Sequence, residues 1–114
     1  MHEAVIVSGA RTPMGRFGGA FKGVSAPDLG AAAIRAALER ADVRPDTVDE
    51  VVFGNVLQAA EAGYAARLSS LRAGVPEEVP TIAVNRQCSS GLEAINIAAQ
   101  LVRTGEVEIV VAGG

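Results

Sequence analysis

The stretch Thr81-Ile82-Ala83-Val84-Asn85-Arg86-Gln87-Cys88-Ser89-Ser90-Gly91-Leu92-Glu93-Ala94 decides the fold. Four residues of strand length give way to a short polar turn. From Ser89 a helical pattern runs to Thr104, and Gly105 stops it. Glu108-Ile109-Val110-Val111-Ala112 follows as another apolar strand. Strand, helix and strand within about thirty residues read as a parallel crossover unit.

The same alternation extends upstream. Val51-Val52-Phe53-Gly54 is a buried strand, and a helix is expected from about Tyr64 to Ala73, with Gly74 as its stop and Pro76 beyond. Asp42 to Asp49, with Pro45 and three aspartates, reads as a turn. Before it, Ser25-Ala26-Pro27-Asp28 fits a capping box that opens an amphipathic helix with Leu29, Ala33, Ile34, Ala37, Leu38 and Ala41 on one side. Gly9 to Gly23 breaks all periodicity and is a loop. Ala4-Val5-Ile6-Val7-Ser8 reads as the first strand, buried on both faces of a parallel sheet. The expected order is βαβαβαβ: an α/β fold with a mostly parallel sheet. In the helix after Cys88, the polar positions Glu93, Asn96, Gln100 and Arg103 form one narrow stripe, so that helix is expected to be largely buried.

Composition excludes several functional classes. The 114 residues are one domain's length, with 10 Lys+Arg against 13 Asp+Glu and no block of either sign. A nucleic-acid surface or an anionic membrane surface calls for a basic patch, which this sequence does not offer. A single cysteine makes no internal disulfide, and no Cys/His cluster suits a metal. The N-terminus lacks the pattern of a signal peptide, and no apolar run approaches the about 20 residues that span a bilayer. The expectation is a soluble, cytoplasmic protein that needs no metal and no bound cofactor.

Chemistry is expected at the carboxyl ends of the strands, where ligands bind in open α/β sheets. Cys88 follows a strand and opens a helix. There, unpaired N–H groups and the helix dipole are the setting in which a cysteine is expected to act as a nucleophile. Ser89, Ser90 and Gly91 are small enough for an acyl group to approach the sulfur, and successive N–H groups can form part of an oxyanion site. A lone cysteine is also often just a small buried residue. The only histidine, His2, reads as an exposed terminal residue, so no partner base is apparent. The loop Gly9 to Gly19 matches neither the dinucleotide fingerprint nor the P-loop. Its Arg11 and Arg16 can bind an anion but fit surface positions better. Tyr64 and Arg67 read as packing and surface residues, and Asn55 and Asn85 as partners of loop backbone groups.

Three segments together resemble the thiolases, which make or cleave 3-oxoacyl-CoA thioesters. They are Ala10-Arg11-Thr12-Pro13-Met14-Gly15-Arg16-Phe17-Gly18-Gly19, Phe53-Gly54-Asn55-Val56-Leu57-Gln58-Ala59, and Val84-Asn85-Arg86-Gln87-Cys88-Ser89-Ser90-Gly91-Leu92-Glu93-Ala94. The last resembles the family's active-site signature. The resemblance covers essentially the whole chain and implies that Cys88 accepts an acyl group. It then passes that group to CoA in thiolysis, or to an acetyl-CoA carbanion in condensation, with the Cys88 backbone N–H as one oxyanion donor. It also implies CoA thioesters as substrates, a homodimer or homotetramer, and a role in fatty acid metabolism.

The resemblance is to the N-terminal part of a thiolase. The family's loop domain, activating histidine and second cysteine have no counterpart in residues 1–114, and Gly113-Gly114 follows the last strand directly. The sequence is therefore expected to be an N-terminal thiolase-like domain over 1–114. Where many members have Gln-Asn-Pro before Ala-Arg, this sequence has Gly63-Tyr64-Ala65. Two other readings stay open: a β-ketoacyl-synthase-like relative, and a non-catalytic thiolase-derived binding or assembly subunit.

Overall fold

A computed structural model describes residues 1–114 and shows three strands and three α-helices. The strands are β1 (Glu50–Gly54), β2 (Thr81–Val84) and β3 (Val110–Gly113). They form one parallel sheet in the order β2-β1-β3, with Val51 opposite Thr81 on one side and Val111 on the other. The helices are α1 (Ala26–Ala41), α2 (Ala65–Arg72) and α3 (Ser90–Arg103).

The central strand sorts the core. Along β1, Val51 and Phe53 pack with Ala31, Ile34 and Leu38 of α1 and Ala66 of α2, while Val52 points the other way onto Val84 and Ala94. Helices α1 and α2 therefore cover one face, and α3 covers the other. The chain passes from β1 outward to β2 through α2, then back across β1 to β3 through α3. Crossovers of one hand that travel in opposite directions place their helices on opposite faces.

Local chemistry sets the element ends. The Ser25 hydroxyl accepts the Asp28 N–H at 3.2 Å to cap α1, and Asp42 closes that helix in a left-handed conformation. The Asp28 carboxylate does not complete a capping box. It pairs with Arg72, which also holds Glu61. Gly74 and Gly105 follow α2 and α3 at φ +92 and +79, a region that glycine enters without steric penalty. Arg67 donates to the Val79 and Glu77 carbonyls, which fixes the approach to β2. The Asp49 carboxylate accepts the N–H groups of Glu108 and Ile109, both at 2.9 Å, and so pins the entry to β3.

Two expectations are corrected. Ala4–Ser8 is not a strand: it joins no ladder, and Val5, Ile6 and Val7 are 69%, 81% and 74% exposed. An apolar β-branched run specifies extended backbone, but a strand also needs a partner edge. Here the ends of the segment are held by helices, His2 N–H donating to the Arg103 carbonyl and Arg40 Nη1 donating to the Gly9 carbonyl. The second correction concerns α3, which buries only Ser90, Ala94 and Ala98, whereas Leu92 and Ile95 are 64% and 40% exposed. Its narrow polar stripe permits burial on several sides, and one sheet covers one side only.

Helix α1 meets α2 at Gly30, where an added Cβ would collide with the Ser69 hydroxyl and lie 2.9 Å from Ser69 Cβ. Gly30→Ala is expected to lower stability by about 1–3 kcal/mol through overpacking, read as a shifted urea midpoint at unchanged slope. An unshifted midpoint would show that α1 can move away freely. The two N–H donors at Asp49 hold its carboxyl below the usual carboxylate range. Its stabilising contribution is therefore complete above the unfolded value of about 3.9, and is lost as pH falls through the lower native value. The stability gap between wild type and Asp49→Ala should narrow between about pH 6 and about pH 2. A gap that stays constant across that range would contradict this assignment.

Candidate functional site

Cys88 lies in the connection between β2 and α3, at the carboxyl end of the sheet, and its side chain is exposed. This removes the alternative of a small buried cysteine. Its presentation starts at Asn85, whose side-chain oxygen accepts the Gln87 N–H at 3.2 Å. Gln87 then adopts φ +52, a left-handed conformation that costs a side-chain-bearing residue roughly 1–2 kcal/mol. Ser89 N–H donates to the Arg86 carbonyl and Ser90 N–H to that of Gln87, two tight turns that wind directly into α3.

Other N–H groups of this turn and of the first turn of α3 make no backbone hydrogen bond. Those of Cys88, Gly91 and Leu92 donate to no backbone acceptor, whereas Glu93 N–H already closes the first helical bond, to Ser89. Unpaired N–H groups and the dipole at the start of a 14-residue helix favour negative charge nearby. Beside them, Arg86 and Glu93 form an ion pair at 3.2 Å across the turn. Such an exposed pair shapes the rim and adds little stability.

The remaining sequence candidates separate clearly. His2 is exposed and lies against Gly105 at the far end of α3, whose 14 residues span roughly 20 Å. It cannot serve Cys88 as a base. Arg11 and Arg16 are exposed on the 9–23 loop. Asn55 donates to the carbonyls of Leu57 and Ala62, and Asn85 accepts from Gln87, so both satisfy loop backbone as expected. Asn55, Tyr64 and Arg67, with Gln58, Thr81 and Ala83, line a cavity of about 170 Å³ between α2 and the β1–β2 pair that does not include Cys88. The thiol is presented on a surface, not in that cavity.

Two residues escaped the sequence reading. Gly54 ends β1, and a Cβ there would lie 2.6 Å from the Ser90 carbonyl carbon and 2.8 Å from the Gly91 nitrogen. Only a missing side chain lets the first turn of α3 rest on the central strand. Ser90 was expected simply to leave room for an acyl group. Instead it is 5% exposed, and its hydroxyl accepts the Arg86 N–H at 2.8 Å and donates to the Gln87 carbonyl at 2.6 Å. A serine at a helix start ordinarily signals a cap for its own helix, so residue type gave no sign of this backward reach.

Known proteins carry the same arrangement of sequence and fold. The sequence profile described as the thiolase N-terminal domain matches residues 4–114. An acetyl-CoA acetyltransferase of Cupriavidus necator is 49% identical over all 114 residues, which cover 29% of that protein. A probable acetyl-CoA acyltransferase of Staphylococcus epidermidis is 46% identical over the same span, again 29% of its length. The chain thus spans less than a third of the length of these curated relatives. The crystal structure of human mitochondrial 3-ketoacyl-CoA thiolase in complex with CoA superposes with a TM-score of 0.89 at 44% identity, over 95% of this chain and 28% of that one. With an α/β fold in which a parallel sheet carries the cysteine turn at its carboxyl end, this chain belongs to the thiolase family.

Proposed function

We propose that this chain carries the acyl-accepting nucleophile of a thiolase-type acyltransferase, and that Cys88 is that nucleophile. The observation that carries the reading is the exposed thiol at the carboxyl end of the sheet, next to unpaired N–H groups at the start of α3. CoA thioesters as substrates are supported by the names of the acetyl-CoA acetyltransferase and acyltransferase relatives, and by the CoA held in the human thiolase structure.

In this reading the Cys88 thiolate attacks the thioester carbonyl carbon of an acyl-CoA. The Cys88 N–H steadies the oxygen of the tetrahedral intermediate as charge develops on it. The bond to the CoA sulfur then breaks, CoA leaves as a thiol after taking up a proton, and the acyl group stays on Cys88 as a thioester. Transfer to an acetyl-CoA carbanion completes condensation. In thiolysis the thiolate instead attacks the 3-oxo carbon of a 3-oxoacyl-CoA, and the bond between C2 and C3 breaks. Acetyl-CoA leaves as its carbanion takes up a proton, and CoA then removes the shortened acyl group from Cys88. Either route draws on a proton acceptor near the sulfur, and the only histidine of residues 1–114 lies a helix length away. The proposal extends to a homo-oligomer working in the cytoplasm on fatty-acid-derived thioesters.

Brief exposure to acetyl-CoA followed by intact-mass spectrometry tests the reading. One acetyl group should appear per chain, faster than on the urea-unfolded chain, and Cys88→Ala should abolish it. No multiple turnover of acetoacetyl-CoA is expected from these 114 residues alone. A native chain that stays unacetylated would favour the binding-subunit reading, and turnover that survives Cys88→Ala would remove Cys88 from the chemistry.

A further inference from the structure

We propose that Ser90 is a positioning residue for the Cys88 thiol, its buried hydroxyl clamping the left-handed turn that presents the sulfur. The proposal rests on the reading of Cys88 as acyl acceptor.

Gln87 is held from both sides. Its N–H donates to Asn85 Oδ1, and its carbonyl accepts both the Ser90 hydroxyl and the Ser90 N–H. The same hydroxyl accepts the Arg86 N–H, so one oxygen ties together the two residues before the cysteine. Glutamine has no preference of its own for positive φ, so the conformation persists only where its surroundings impose it. The hydroxyl touches backbone rather than the sulfur, and it acts through the turn.

The space around Ser90 limits what can stand there. Gly54 backs it so closely that even a Cβ on residue 54 would meet its main chain. Alanine would keep the packing and remove both hydrogen bonds. Neighbouring Ser89 is exposed and caps nothing with its side chain, so the clamp belongs to one serine of the pair.

Loss of the clamp should alter geometry more than accessibility. In Ser90→Ala the Arg86 N–H loses its acceptor and Gln87 is free to relax to negative φ, while Cys88 stays in solvent. Attack on acetyl-CoA depends on the direction of the sulfur relative to the Cys88 N–H, and it should slow by roughly tenfold or more. Alkylation by iodoacetamide depends only on an accessible thiolate and should change less than about twofold. As Cys88 is the sole cysteine, both rates read one sulfur.

The comparison variant is Ser69→Ala, which removes a buried hydroxyl donating to the Pro27 carbonyl on the opposite face and should leave both rates as they are. Backbone NMR of Ser90→Ala should show Gln87 outside the left-handed region and faster exchange of the Arg86 amide. If Ser90→Ala does not fold, Ser90→Gly removes the same hydroxyl without adding an atom and carries the same expectations. The proposal is overturned by an equal fall in both rates, by a fall that Ser69→Ala reproduces, or by a Gln87 that stays left-handed without the hydroxyl. Absence of acetylation in the wild-type chain sinks the acyl-acceptor reading instead, and the clamp is then judged on the Gln87 conformation alone.

Discussion

The first turn of α3 rests directly on the carboxyl end of β1, main chain against main chain, because position 54 is glycine. β1 is the strand that pairs with both others, so this contact ties the helix to the centre of the sheet. It continues along the helix in small residues. Ser90, Ala94 and Ala98 stand four apart, share one face, and are the buried residues of α3. A single stripe of small side chains thus brings the helix close enough for the turn before it, and the thiol on that turn, to sit at a fixed place above the strand ends.

Much of this fold was legible in the sequence because its punctuation is local. Ser25, Gly74 and Gly105 mark helix ends by mechanisms confined to a few residues, and the three helices were placed to within one residue of where they lie. The error at Ala4–Ser8 has the opposite origin. Its β-branched run is a sound statement about local conformation, whereas strand identity depends on a hydrogen-bonding neighbour distant in sequence. The same distinction explains α3. Its apolar circumference led to an expectation of burial that the structure does not meet, because what covers a helix is set by other parts of a protein, not by the helix itself.

At the site, the division falls between residue type and conformation. The place of Cys88 between a strand and a helix was legible, and so was Asn85, from the habit of asparagine to satisfy loop backbone. The left-handed Gln87 was not, since that region is signalled by glycine or asparagine and glutamine signals nothing. Nor was Ser90, whose hydroxyl faces away from the helix it begins. Both belong to one small network, in which the conformation of one residue and the buried hydroxyl of the other account for each other.

That network also separates the contributions to acyl transfer. An oxyanion donor is worth about 10²–10³ in rate and a general base about 10²–10⁴. The proposed nucleophile and its own N–H share one turn, so a few local bonds orient both at once. Proton removal has no such local source, because His2 is separated from the sulfur by the full length of α3. Accepting an acyl group and turning over substrate are therefore physically distinct properties of this fold: the first depends on the backbone between Asn85 and Ser90, and the second on a base that this turn does not hold.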